Sequence, residues 1–92
     1  RHKEQFIRHW LSPAERDAVR LACRGFDNAT IAKILHKSEQ TVANQLHTVY
    51  EKLREWLEYP DTSVDRSVLI AQFAPYFAQM NEIEKEGGHV RH

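Results

Sequence analysis

The stretch from Asn28 to Leu53 reads N-A-T-I-A-K-I-L-H-K-S-E-Q-T-V-A-N-Q-L-H-T-V-Y-E-K-L, and its reading decides the fold. Two helical segments meet across a short polar break at His36-Lys37-Ser38. The first carries Ile31, Ala32 and Leu35 on one side. The second opens at Ser38, whose hydroxyl can accept a bond from a free backbone N–H of the first turn. Val42, Leu46, Val49 and Leu53 then follow at steps of four, three and four, an inward stripe of helical period. Helices joined by so short a turn must cross at a wide angle, as in a helix-turn-helix, and small Ala32 suits the crossing point.

Outward from this stretch the helix boundaries are written in local chemistry. Ser12-Pro13-Ala14-Glu15 predicts a helix start: Ser12 caps, Pro13 takes the first helical position, and Glu15 can close a capping box. That helix runs to about Arg24 with Ala18, Leu21 and Ala22 inward. Gly25 ends it, because glycine enters the left-handed C-cap conformation without strain. Phe26 is expected in the core, and Asp27 or Asn28 caps the next helix. The helix from Ser38 is expected to continue through Trp56-Leu57, some twenty residues or about 30 Å. Tyr59-Pro60-Asp61-Thr62-Ser63 stops it. A further helix starts near Asp65 with Val68, Leu69, Ile70 and Phe73. Pro75 should kink it or begin a new one, and Tyr76, Phe77, Met80 and Ile83 continue the apolar pattern. The expected organisation is a linker or leading helix over 1–10, a helix-turn-helix domain over 11–83, and a flexible tail over 84–92.

Composition agrees with an all-α class: a small helical bundle containing a helix-turn-helix, with an extended third helix and C-terminal helices. Three glycines and three prolines in 92 residues leave helix formers dominant. No apolar run approaches the roughly 20 residues needed to cross a bilayer, and no signal peptide opens the chain. Without an initiator Met, the chain reads as part of a longer protein with further domains. The single cysteine, Cys23, excludes an internal disulfide and suits a reducing cytoplasm. It reads as a small hydrophobe, since nothing pairs it with a base. His89 and His92 form an H-x-x-H without further ligands, a poor metal site. The remaining histidines form no catalytic pattern, so neither enzyme nor cofactor is expected. Lys plus Arg equals Asp plus Glu, a formal net charge of zero. Composition alone therefore does not point to nucleic acid, whose binders are mostly basic.

The residues Leu11-Ser12-Pro13, Gly25, Asn28, Ile31-Ala32, Leu35, Ser38, Thr41-Val42, Val49 and Lys52-Leu53 together resemble the LuxR/GerE-type DNA-binding domain of bacterial regulators. Region 4 of sigma factors is a close cousin. The resemblance implies a four-helix module whose third helix lies in the DNA major groove, in the output domain of a cytoplasmic transcription regulator. On that helix Glu39, Gln40, Ala43, Asn44, His47 and Thr48 would face outward. Gln40 and Asn44 are the candidates for base edges, because an amide can pair bidentately with adenine. Thr41, Gln45, His47 and Lys52 suit phosphate contacts, which position without reading sequence. Thr30 and Lys33 on the preceding helix would face the same backbone, with Lys37 adding positive charge at the turn. The chain departs from the family at Ala43, where Lys is common, at Gln45, where His is frequent, and at Lys37, where the turn is usually apolar. Arg54 to Val64 is an insertion before Asp65-Arg66, which looks like the Asn-Arg opening the family's last helix. That helix often mediates dimerisation, so Leu69, Phe73, Tyr76, Phe77 and Met80 form either core closure or a homodimer or partner surface. Two alternatives stand beside duplex DNA binding. One is a protein-interaction module of a larger signalling or assembly protein; the other is sigma-type promoter recognition, suggested by Lys52-Leu53-Arg54-Glu55.

Overall fold

Each helix boundary expected between Ser12 and Leu57 is met in the computed structural model, which describes residues 2–58 and 63–90, with side chains as far as Met80. Helix α1 (His2–Gln5) runs into a wider π-helical turn over Phe6–Trp10; α2 (Pro13–Cys23), α3 (Asn28–Leu35), α4 (Glu39–Leu57) and α5 (Arg66–Val90) follow. Among the described residues there is no strand.

The caps explain where these helices start. Ser12 Oγ accepts the Glu15 N–H at 3.2 Å while the Ser12 N–H donates to Glu15 Oε1 at 2.9 Å, a reciprocal box that satisfies two otherwise orphaned donors. Asp27 caps α3 by accepting the Thr30 N–H at 2.8 Å, and Ser38 caps α4 through the Thr41 N–H at 3.0 Å. Asp65 does the same for α5, accepting the Val68 N–H at 3.2 Å.

The stops are equally local. Gly25 sits at φ 93, with the Phe26 N–H reaching back to the Leu21 carbonyl and the Gly25 N–H to Ala22, the paired bonds of a Schellman end. His36 ends α3 the same way at φ 57, the Lys37 N–H bonding the Ala32 carbonyl at 2.9 Å. Glu58 ends α4 at φ 60. Tyr59 to Thr62, expected to stop that helix, lie outside the described residues. The insertion from Arg54 therefore extends α4 by a turn before the chain returns, and α5 still opens at Arg66.

Two expectations change. Pro75 neither breaks nor restarts the last helix: α5 continues through it. Pro75 and Ala71, whose carbonyl loses its usual partner, are both exposed, so water can satisfy the orphaned group. The backbone is also helical to Val90, so most of the tail expected from residue 84 is a continuation of α5. Arg91 and His92, and the side chains of His89 and Ile83, lie outside the described residues.

The core lies where α2, α4 and α5 meet. The α4 stripe of Val42, Leu46, Val49 and Leu53 is buried along its whole length, facing Val19 and Ala22 of α2 and Ile31 of α3. Trp56 and Leu57 are half-buried at its edge. Residues 2–10 are a leading helical segment packed on the core through Phe6 and Ile7. Phe6 is fully buried, its ring 5.3 Å from Phe73 in a stacked pair and 5.1 Å from Trp56. Arg16 Nε donates to the Ile7 carbonyl at 3.2 Å, satisfying one backbone acceptor of the π-helical turn. Leu69, Phe73 and Phe77 are buried and close the core, whereas Tyr76 and Met80 of the same expected set are half-buried. Arg66 anchors the start of α5 by donating to Asn28 Oδ1 at 2.8 Å and to the Phe26 carbonyl.

Two outcomes are expected in thermal or urea unfolding. Phe6→Ala empties a core position and should cost about 3–5 kcal/mol, whereas a linker residue would cost almost nothing. His36→Gly relieves a left-handed non-glycine backbone at an exposed site. It should raise stability by about 0.5–1 kcal/mol, and Tm by several degrees.

Candidate nucleic-acid interface

Helix α4 has one face committed to the core, and the opposite face carries the candidate contacts. Its N-terminus is held firmly: besides capping Thr41 N–H, Ser38 Oγ lies 2.8 Å from Thr41 Oγ1. Ala32 at the crossing is 6% exposed, small enough to let α3 and α4 approach closely. Glu39, Gln40, Thr41, Asn44 and His47 are exposed, with Ala43 and Thr48 partly covered.

Gln40 and Asn44, one turn apart, are linked. The Gln40 Nε2 donates to Asn44 Oδ1 at 2.9 Å, and Thr48 Oγ1 donates to the Asn44 carbonyl at 3.1 Å. An exposed amide pair of this kind keeps one Asn donor group and one Gln acceptor free, the complement of an adenine edge. His47 Nε2 lies 3.7 Å from Glu51 Oε2 one turn on. Thr30 is half-buried beside the cap of α3, Lys33 is exposed, and Lys37 at the turn is half-buried.

Gln45 and Lys52 sit differently from an open phosphate-contacting face. Gln45 is half-buried, and its amide oxygen is buried without a hydrogen-bond partner among the described residues. Lys52 Nζ turns to α2 and donates to Glu15 Oε1 at 2.7 Å, with the carboxylate side chain only 12% exposed. Glu15 therefore closes the cap of α2 and holds the middle of α4 at once. Burial works to raise its pKa, but the hydrogen bonds from Lys52 and Ser12, together with the Lys52 charge, outweigh it and hold the carboxyl below its ordinary value. Sequence reasoning placed Glu15 in a cap and Lys52 on a surface; their separation of 37 positions concealed the pair. Cys23 is half-buried, and burial pushes its thiol up to about 11 against the opposing charge of Arg66, so it is protonated at neutral pH. No cluster of three metal-ligating side chains occurs among the described residues.

The luxR family of bacterial regulatory proteins, described by its GerE domain, matches residues 9–55, about half of the chain. The chain belongs to this family. The match spans α2, α3 and most of α4, so the luxR helix-turn-helix is the α3–turn–α4 unit just described, a DNA-binding rather than catalytic module. Similar proteins include HTH-type transcriptional regulators of Mycobacterium bovis and of Mycobacterium tuberculosis strains CDC 1551 and H37Rv. Each is 51% identical over 43 residues, which is 47% of this chain and 5% of the relative. The chain thus spans about a twentieth of the length of the curated relatives it matches. No solved structure matches. Helices α1 and α5, which complete the core here, lie outside the luxR match.

The ion pair gives a pH signature. Because the folded pKa of Glu15 is lowered, its stabilisation is complete above the unfolded value of about 4.5 and is lost as pH falls through the folded value. Denaturant unfolding between pH 7 and pH 3 should show wild type losing stability in that window. Lys52→Met should remove part of the loss, because Ser12 alone then holds the carboxylate. Equal pH slopes in the two proteins would mean that Lys52 contributes nothing to the shift.

Proposed function

We propose that this module binds duplex DNA sequence-specifically, with α4 seated in the major groove and Gln40 and Asn44 turned to base edges. The observation that carries this reading is the exposed, mutually bonded Gln40–Asn44 pair on the outward face of a helix whose other face is locked into the core. Helix α3 and the turn brace the backbone through Thr30, Lys33 and Lys37. Thr41, His47 and Thr48 supply further polar contacts to phosphate. Membership of the luxR family and the names of its mycobacterial relatives support the same assignment.

With Lys52 engaged by Glu15 and Ala43 uncharged, few cations are left to meet phosphates. Affinity for random duplex should accordingly be modest, and specificity should rest on the amide pair. We place the module in the output region of a longer, cytoplasmic transcription regulator. There, two copies would present their α4 helices to half-sites about one DNA turn apart. Phe73 and Phe77 are inside and offer a partner no surface, whereas Tyr76 and Met80 are half-buried.

The deciding experiment is fluorescence anisotropy of a labelled random duplex at low and then raised salt. Binding should weaken with a log–log slope of about −2 to −4, as expected for two to four neutralised phosphates. Asn44→Glu, which places a carboxylate against the groove, should lower affinity at least about tenfold while leaving the melt unchanged. No binding at low salt with tens of micromolar protein, or equal binding by Asn44→Glu, would overturn the assignment.

A further inference from the structure

Four arginines gather on the side of the fold away from α4. Arg16, Arg20 and Arg24 recur every four residues along α2, and Arg8 joins them from the leading helix. Together they line a groove of about 460 Å³ whose floor includes Tyr76 and Met80 of α5. Among the described residues no carboxylate lines it, and no residue of α3 or α4 does. In a chain of zero net charge, four guanidinium groups around one depression are a marked local excess.

Their contacts among the described residues leave most of that charge unengaged. Arg8 meets Glu4 at 3.2 Å and Arg20 meets Asp17 at 3.6 Å, both pairs exposed neighbours on their own helices and weak for that reason. Among the described residues Arg16 engages only its Nε, on the Ile7 carbonyl. Arg24 lies over the Phe26 ring at 5.9 Å, an interaction that itself engages no N–H group. Arginine forks above an apolar floor match a carboxylate-bearing segment that also carries apolar side chains.

We propose that this groove docks an acidic, amphipathic protein segment. The carboxylates would pair with Arg8, Arg20 and Arg24 while apolar side chains settle on Tyr76 and Met80. The small volume and the apolar floor favour such a segment over a run of phosphates. The groove lies away from α4, so the module could hold this partner and DNA together.

The test uses the 92-residue chain and a fluorescein-labelled 16-residue peptide built of Leu-Glu-Glu-Leu repeats. Control peptides carry Lys for Glu, or Ser for Leu. The Glu-Leu peptide should bind with a Kd on the order of 100 μM and weaken with salt, whereas both controls bind less well. Arg20→Gln/Arg24→Gln should lose about five- to tenfold, with its thermal melt and duplex-DNA affinity unchanged. Arg8→Gln/Arg24→Gln provides a second, independent pair should the first alter the melt. Equal binding of the Glu and Lys peptides, or unchanged peptide binding by a folded double variant, would overturn the proposal. So would a parallel loss of duplex affinity, or displacement of the peptide by single-stranded DNA, either of which would make the groove a nucleic-acid surface. Failure of wild type to bind duplex DNA would bear on α4 alone.

Discussion

Everything in this small protein depends on the buried stripe of α4. Val42, Leu46, Val49 and Leu53 place one side of a 19-residue helix inside the core, so the other side can remain polar and open without costing stability. A helix that must be both keystone and reading surface needs its rotation about its own axis set tightly. A turn of a few tens of degrees would bury an amide or expose a valine, each costing about 1–3 kcal/mol. Three further devices hold that rotation. The Ser38 cap fixes the entry, the Schellman end at His36 fixes the path in from α3, and the Lys52–Glu15 bond ties the middle of α4 to the start of α2.

The outer layer is completed by elements beyond the family match. Phe6 stacks on Phe73 and approaches Trp56, linking the leading segment to α4 and α5 through one aromatic cluster with ring centroids 5.1–6.0 Å apart. Pairs at such separations add to the area they bury. Arg66, bonded to Asn28 and to the Phe26 carbonyl, attaches α5 to the junction between α2 and α3. The luxR module is therefore clasped between a leading helix and a long final one. Its apolar segment after Arg66 is largely spent on closing that clasp.

Charge is distributed with the same economy. Lysine and histidine side chains that composition would count toward phosphate binding have other neighbours: Lys52 meets Glu15, and His47 lies near Glu51. The arginines gather on the α2–α5 side instead. A zero net charge thus conceals two surfaces of different character, an amide-rich one on α4 and a guanidinium-rich one behind it.

The sequence by itself determined the helix boundaries from Ser12 to Leu57 and the helix-turn-helix, because caps, glycine stops and a 3.6-residue stripe act within a few residues of one another. Ser12-Pro13-x-Glu15, Gly25, Asp27 and Ser38 do in the structure what their local chemistry dictates. The outward set on α4 was also legible, since burial of Val42, Leu46 and Val49 leaves Gln40, Asn44 and His47 outside by periodicity alone. Only the tertiary structure decided which of several available partners each long side chain takes. Lys52 and Glu15 are 37 residues apart, Arg66 and Asn28 are 38, and Phe6 meets Phe73 from nearly the far end of the chain. No local pattern encodes those distances. They also settle that Phe73 and Phe77 face inward, that Phe6 and Ile7 of the leading segment belong to the core, and that Pro75 can be tolerated where its helix faces water.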